Sequence, residues 1–265
     1  MNETYKVQVQ GLVDDLKAVF THAGLGGEAG EYKLLAQSFL YKFLNDKFLY
    51  QAKVLDESNT YENLLAMSEE DYDWLLEDIG TSTAWLKPDQ LIETLHRQQN
   101  ESSFYETFEN TLNQIAIDNN DIFSVHTDGD TAIRLFDERL ITDTISDSSK
   151  RNEVAKAIIN LLARVKFDES IFSQGFDFFS TLFEYMIKDY NKDGGGKYAE
   201  YYTPHSVAKI IADILVGDDK PQNVRIYDPS AGSGTLLMNL ASRIGVDKTT
   251  VYSLSLIHIS EPTRP

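Results

Sequence analysis

Hydrophobic positions in the first 165 residues recur every three or four residues, which is the spacing of amphipathic helices. The pattern predicts helices over residues 4–20, 31–55 and 153–165. Two shorter helices are predicted to begin near Asp71 and at Pro88, because proline and acidic residues mark helix starts. Glycine-rich and polar segments separate these runs, so this part of the chain is predicted to be α-helical.

The pattern changes in the last third of the chain. It predicts, in order, an apolar helix, a glycine-rich hinge, a helix, a strand, a helix and the start of a strand, at 176–190, 191–197, 204–216, 223–228, 235–244 and 249–252. Such alternation is typical of a parallel α/β fold. The apolar positions of the helix that precedes the first strand are expected to cover the sheet: Val207, Ile210, Ile211, Ile214 and Leu215.

Charge is distributed unevenly along the chain, whose net charge is −18 at pH 7. Residues 1–150 hold 11 Lys and Arg against 28 Asp and Glu, whereas residues 151–252 hold 12 against 13. This difference predicts an acidic helical N-terminal domain over 1–150 and a second domain over 151–252. An acidic domain repels duplex DNA over about a Debye length. The first domain is therefore expected to meet a protein partner or to confer solubility.

Composition argues against several classes of protein. The chain has no cysteine, which removes disulfides and thiolate metal sites. Its start shows no basic-then-apolar signal segment and no apolar run reaches membrane-spanning length, so a cytoplasmic location is expected. Asp128 and Asp130 lack the rest of an EF-hand loop and are interpreted as a turn, so no metal site is predicted. Trp74 and Trp85 are expected to lie in the core.

The segment Asn223–Leu237 carries the clearest chemical signal. A short β-rich run ends at Asp228, small residues follow, and an apolar helical pattern begins at Thr235. This order predicts a strand, a tight loop and a helix N-terminus whose main-chain N–H groups face a ligand. Gly232 and Gly234 lack a Cβ, so the main chain there can turn sharply and a cofactor can approach it closely.

This loop does not fit two common cofactor-binding patterns. Leu237 stands where the dinucleotide fingerprint requires its third glycine. The upstream glycines at 194–196 do not form a phosphate loop, because Asn191 and Tyr198 stand where that loop requires Gly and Ser or Thr.

A second motif, Glu200-Tyr-Tyr-Thr-Pro-His205, precedes the loop. Thr203 and Pro204 are predicted to be a helix N-cap and the first helical residue. A helix start explains these two residues but not the two tyrosines before them.

Together, Glu200–His205 and Asp228-Pro-Ser-Ala-Gly-Ser-Gly234 resemble the motifs of the modification (M) subunit of type I restriction-modification systems. These subunits are N6-adenine DNA methyltransferases. The runs 176–187 and 39–48 are also similar to family segments, so the resemblance spans roughly residues 30 to 252. His205 stands where many relatives have arginine, and Ala231 where many have cysteine.

The resemblance implies a Rossmann-like, S-adenosylmethionine-dependent methyltransferase domain, of which this chain holds the start of the sheet. It implies transfer of a methyl group to adenine N6 in duplex DNA, with specificity (S) and restriction (R) subunits as partners. Asp228 would accept from the cofactor's amino group or cap the loop amides. The implied cofactor-binding residues are Glu200, Tyr201, Tyr202, Thr203, Pro204, His205, Asp228, Ser230, Gly232, Ser233 and Gly234.

The C-terminal segment 253–265 is expected to be foreign to this domain, because it resembles translated read-through into a sequencing adapter. The family's catalytic Asn-Pro-Pro-aromatic motif, which holds a flipped adenine, does not occur in the 265 residues. No catalytic residue is therefore predicted, and this chain alone is expected to be truncated and inactive. Two alternatives remain open: a standalone or fused adenine methyltransferase, and a non-catalytic acidic interaction module with a degenerate methyltransferase fold.

Overall fold

The computed structural model describes residues 3–27, 29–81, 83–123, 134–167, 169–172, 203–219, 221–231 and 234–253. The chain divides into two compact units, residues 1–173 and 174–265. Several sequence-based expectations lie outside the described residues: the helix at 176–190, the hinge at 191–197, the turn at Asp128 and Asp130, and most of the segment 253–265.

The first unit is built from helices. Their bounds are α1 Glu3–His22, α2 Ala29–Leu55, α3 Tyr61–Ala66, α4 Glu69–Ile79, α5 Ile92–Gln98, α6 Phe104–Asp118, α7 Asn120–Phe123, α8 Leu140–Thr144, α9 Arg151–Arg164 and α10 Glu169–Phe172. Short 3-10 turns occupy Pro88–Gln90 and Ser148–Lys150. The three long helices predicted from the periodicity are therefore confirmed, with ends that agree to within two residues.

Helix α9 packs against α1, α5 and α6. It buries a continuous apolar stripe that includes Val154, Ile158 and Leu162. This packing places α9 in the first unit, so the division that the structure shows falls after residue 173 rather than at the charge boundary near residue 150. Charge reports which surface a segment presents to solvent, whereas the division follows the apolar contacts.

Helix α2 is buried on most of its circumference. Six consecutive residues, 41–46, are buried, and Lys42 and Asp46 among them form an ion pair at 2.8 Å. Burial of both charges is tolerated because Asp46 also accepts from the Asn45 amide and the Phe167 main chain, at 2.8 and 2.7 Å.

Trp74 does not lie in the core, contrary to the sequence-based expectation. Its side chain is 61% exposed, because α4 buries its opposite side through Tyr72, Leu75, Leu76 and Ile79. Trp85 is half-buried, and its indole N–H donates to the Gly80 carbonyl at 2.7 Å.

The described part of the second unit forms a strand–helix–strand element preceded by a helix. Its bounds are α11 His205–Val216, β1 Val224–Asp228, α12 Thr235–Ile244, a 3-10 turn at Val246–Lys248, and β2 Thr249–Ser253. The two strands are parallel, in a register that runs from Val224 opposite Thr249 to Asp228 opposite Ser253. The predicted order of elements and the parallel pairing are therefore confirmed here.

The core of this unit lies between the sheet and α12. Ile226, Leu237 and Ala241 are buried in it. Helix α11 packs on α12, and its own buried residues are Ala208, Ala212 and Val216. The expectation that the large apolar residues of α11 cover the sheet is wrong for the described structure, since they are 38–75% exposed: Val207, Ile210, Ile211, Ile214 and Leu215.

Within the described residues, no helix is both long and apolar enough to cross a lipid bilayer. The same residues contain no cluster of three or more His, Asp or Glu side chains that could hold a metal ion.

Candidate functional site

The carboxyl end of β1 opens into the glycine loop. Asp228 is the last strand residue, and its Oδ1 accepts from the main-chain N–H of Ser230 at 2.8 Å. A carboxylate that accepts a hydrogen bond from the main-chain N–H two residues later fixes the first bend after a strand. Of the two roles considered for Asp228, the structure thus displays the capping of a loop amide.

Gly234 ends the loop and begins α12. Its backbone has φ 75° and ψ 9°, a left-handed conformation that residues with a Cβ adopt only at a cost. Its N–H donates to the Ala231 carbonyl at 2.8 Å, and its own carbonyl accepts from Met238 at 2.9 Å. Among the described residues, a Cβ on Gly234 would meet Met238 Cγ alone, at 4.0 Å, so the need for glycine that these residues show is conformational rather than steric.

The described loop residues differ in exposure. Pro229 and Ser230 are exposed, whereas Ala231 packs against the apolar cluster beneath α12. This part of the loop is therefore anchored at Ala231 and exposed at the two residues before it. Gly232 and Ser233 lie outside the described residues.

The Thr-Pro turn stands at the start of α11. Pro204 is the N-cap, with ψ 135°, and its carbonyl accepts from Val207 and Ala208 at 3.0 and 3.1 Å. The helix thus begins one residue later than predicted, and within the described residues the Thr203 side chain does not cap it. Thr203 is half-buried and Pro204 exposed. Three further predicted site residues lie outside the described residues: Glu200, Tyr201 and Tyr202.

The two motifs are joined by a residue that the sequence did not indicate. Asn239 lies on the second turn of α12 and is 7% exposed. Its Nδ2 lies 3.1 Å from Nδ1 of His205, the first residue of α11, and it also donates to the Thr235 carbonyl at 2.8 Å. The available signal was a single amide at a position where the helical pattern predicts an apolar residue.

A second polar link joins the same two helices at the other end of α11. Arg243 donates from Nε to Asp213 Oδ1 and from Nη2 to the Gly217 carbonyl, each at 2.8 Å. Both partners of the Arg243–Asp213 ion pair are about half exposed, 43% and 53%, so we expect the pair to contribute little to stability.

Residues 174–257 match the model of the family described as N-6 DNA Methylase. The matched segment contains both motifs and every described element of the second unit. The second unit is therefore similar to the class of domain that the two motifs implied.

The chain is also similar to methylase subunits of type I restriction enzymes. The chain is 26% identical over 233 residues to the type I restriction enzyme MpnII methylase subunit of Mycoplasma pneumoniae, covering 84% of this chain and 40% of that subunit. It is 25% identical over 134 residues to the MjaIX methylase subunit of Methanocaldococcus jannaschii, covering 48% and 23%. The resemblance to type I methylase subunits is confirmed.

A solved structure shares the fold. The crystal structure of a type I restriction-modification system methyltransferase subunit from Streptococcus thermophilus superposes with a TM-score of 0.63 at 22% identity. The match covers 94% of this chain and 53% of that one. The chain thus spans about two fifths of the MpnII subunit and about half of the Streptococcus subunit.

Proposed function

We propose that the chain is a DNA (adenine-N6) methyltransferase subunit of a type I restriction-modification system, with S-adenosylmethionine as the methyl donor. One observation carries the proposal: a parallel strand, a loop ending at a positive-φ glycine, and a helix lie within the segment that matches the N-6 DNA Methylase family. The proposed substrate is duplex DNA, the proposed partners are specificity and restriction subunits, and the proposed location is the cytoplasm.

The described residues fit the proposed donor. Pro229 and Ser230 in the loop are small and exposed, and Gly234 turns the chain into α12 without a side chain. A ligand can therefore approach the backbone closely. When bound, S-adenosylmethionine supplies a methyl group on a positively charged sulfur.

We assign roles to the site residues as follows. Asp228 holds the loop through Ser230, and its carboxylate faces the donor's amino group. Thr203 and Pro204 cover the methionine end. The same cofactor site includes the following residues by their place in the two motifs: Glu200, Tyr201, Tyr202, His205, Gly232, Ser233 and Gly234. Because the Asn-Pro-Pro-aromatic motif does not occur in this sequence, we assign no catalytic residue.

The first unit supplies a different surface. It contains residues 1–150, which hold 28 acidic against 11 basic residues, so it repels DNA phosphates and fits a protein partner. We therefore assign contacts with other subunits to this unit and cofactor binding to the second.

Chemical-shift mapping tests the cofactor site, because it also registers weak binding. S-adenosylmethionine is added at up to millimolar concentration to the ¹⁵N-labelled chain. The amides of Thr203, Ser230 and Gly234 are expected to shift, while those of α9 are expected to stay in place. Shifts confined to the first unit, or none at all, would refute the site.

Two glycine substitutions provide a matched comparison. Gly234 and Gly217 both have positive φ, at 75° and 56°, and both adjoin a helix end. Alanine at Gly234 is expected to cost about 1 to 2 kcal/mol of stability. Alanine at Gly217, whose ψ of −135° lies outside the left-handed helical region, is expected to cost at least as much. Only Gly234→Ala is expected to weaken donor binding, because Gly217 lies at the far end of α11.

The reaction itself is tested in cells. The full-length gene that contains this sequence is expressed together with its neighbouring genes in a host that lacks adenine methylation, and genomic DNA is read for N6-methyladenine. A modified sequence motif is expected in that host and not in the empty host. DNA that stays unmodified while the three-subunit complex assembles would contradict the proposal.

A further inference from the structure

Asn239 is a buried polar residue in an apolar helix interface. It contacts α11 through His205, whereas Leu237 and Ala241, two residues before and after it, pack with Ile226 on the other side of α12. A buried amide costs free energy unless its hydrogen bonds are made. Nδ2 has two hydrogens, and the Thr235 carbonyl and His205 Nδ1 lie within reach of them.

These partners indicate which ring nitrogen of His205 accepts a hydrogen bond. The Thr235 carbonyl can only accept, so the amide nitrogen, rather than the amide oxygen, must face it. The same nitrogen then donates its second hydrogen to His205, and Nδ1 must accept. The tautomer with its proton on Nε2 lets Nδ1 accept the bond from Asn239.

The bond between His205 and Asn239 lies close to both motifs. His205 directly follows Thr203 and Pro204, and Asn239 lies on the second turn after Gly234. Rotation of α11 against α12 that moved the turn away from the loop would break this bond. Of the polar links between the two helices, this one therefore lies nearest to the turn and the loop.

We propose that Asn239 is a positioning residue for the donor site: through His205 it holds the Thr203–Pro204 turn in register with the glycine loop. The inference rests on the proposed function, since it concerns the geometry of the same site. Asn239 itself acts through His205 and is not assigned a contact with the donor.

The test compares two substitutions on α12 that each remove two hydrogen bonds. Asn239→Leu keeps the number and branching of the side-chain heavy atoms but removes the bonds to Thr235 and His205. Arg243→Gln removes the bonds to Asp213 and Gly217 at the other end of the helix pair. Both proteins are titrated with S-adenosylmethionine while amide spectra and thermal unfolding are recorded.

Asn239→Leu is expected to weaken donor binding about tenfold, the size expected when one hydrogen bond that orders a site is lost. At matched occupancy the Ser230 amide is expected to shift as in the parent chain, whereas the Thr203 amide is not. Arg243→Gln is expected to leave both the affinity and the Thr203 shift unchanged. A general loss of stability would move the two amides together. Equal affinities and equal Thr203 shifts in all three proteins would overturn the inference.

One measurement separates this inference from the proposed function. Nitrogen spectra of the histidine ring report the tautomer of His205 without any ligand. The parent chain is expected to show the proton on Nε2, and Asn239→Leu is expected to lose that preference. If the donor does not bind the parent chain but this signature is found, the proposed function fails and the Asn239–His205 geometry stands. A proton on Nδ1 in the parent chain would overturn the geometry itself.

Discussion

Asn119 follows α6 and is 1% exposed, with both ends of its amide bonded to main chain. Its Oδ1 accepts from Trp85 N–H at 2.6 Å, and its Nδ2 donates to the carbonyls of Trp85 and Ile115 at 2.8 and 2.9 Å. Asn119→Ala is expected to lower the free energy of unfolding by about 3 kcal/mol, because the partners lose their bonds while buried or partly buried. Urea denaturation measures the loss.

Asn113 provides the control for that substitution. It lies within α6, and its Oδ1 accepts a hydrogen bond from Arg134 Nη1 at 3.2 Å on the exposed surface. Asn113→Ala is expected to change the free energy of unfolding by less than about 0.5 kcal/mol. Similar losses in the two variants would show that burial of the Asn119 bonds is not what stabilises the link to Trp85.

Tyr72 couples stability to alkaline pH. Burial, with a contribution from the charge of Asp89, raises the pKa of its hydroxyl above the ordinary value of 10.0, and the hydroxyl donates to the Leu86 carbonyl at 2.6 Å. Above pH 10 the unfolded chain releases this proton while the folded chain keeps it. The unfolded state then binds fewer protons, so stability is full below pH 10 and falls above it.

Tyr72→Phe removes this proton from both states. At pH 7 the substitution is expected to cost about 1 kcal/mol for the lost hydrogen bond. Between pH 10 and 12 the parent chain is expected to lose stability more steeply than the variant, as measured by urea denaturation at several pH values. Parallel curves for the two proteins would contradict the role of Tyr72. Tyr41, whose pKa burial also raises, accounts for part of the remaining slope.

At the scale of the elements, helix α11 buries its small apolar residues and exposes most of its large ones. Ala208 and Ala212 are buried against α12, whereas Ile214 is 75% exposed. Two small side chains one turn apart let the helix axes approach closely, so the interface depends on their size. Substitution of the small residue should therefore matter more than substitution of the large one.

Ala212→Leu is expected to destabilise the second unit by about 1 to 3 kcal/mol, because added methylenes force the two helices apart. Ile214→Ala removes more apolar surface but is expected to change stability by less than about 0.5 kcal/mol, since that surface faces solvent. Thermal unfolding followed by far-UV circular dichroism compares them. A larger loss for Ile214→Ala would show that α11 buries its exposed face in solution.

Sequence reasoning worked where a single signal decides the structure. Periodicity of apolar residues gave the long helices, and Gly234 together with the apolar run after it gave the loop and the start of α12. It failed where packing between elements decides. Which face of α11 is buried, and that Trp74 points to solvent, depend on neighbours that the pattern does not identify.

The candidate site shows the same limit. The two motifs could be read as linear segments, but the bond between His205 and Asn239 crosses 34 residues. An amide within a helix is more often solvated than buried, so spacing alone gave no reason to single out Asn239. Only the packing of α11 on α12 brings the two side chains together.

At the scale of the whole molecule, the chain divides into two compact units, and the probes of unfolding differ between them. Both tryptophans of the chain, Trp74 and Trp85, lie in the first unit. Tryptophan fluorescence therefore reports on that unit alone, whereas far-UV circular dichroism reports on helices in both. Proteins with separate cores need not unfold in one step.

We expect the urea transitions from these two probes not to coincide. Ala212→Leu should shift only the dichroism transition, because it loosens the α11–α12 interface in the second unit. Asn119→Ala should shift the fluorescence transition, because Asn119 bonds the main chain of Trp85 itself. If both substitutions moved both probes equally, the chain would unfold as one cooperative body. The division at residue 173 would then describe the pattern of contacts without describing stability.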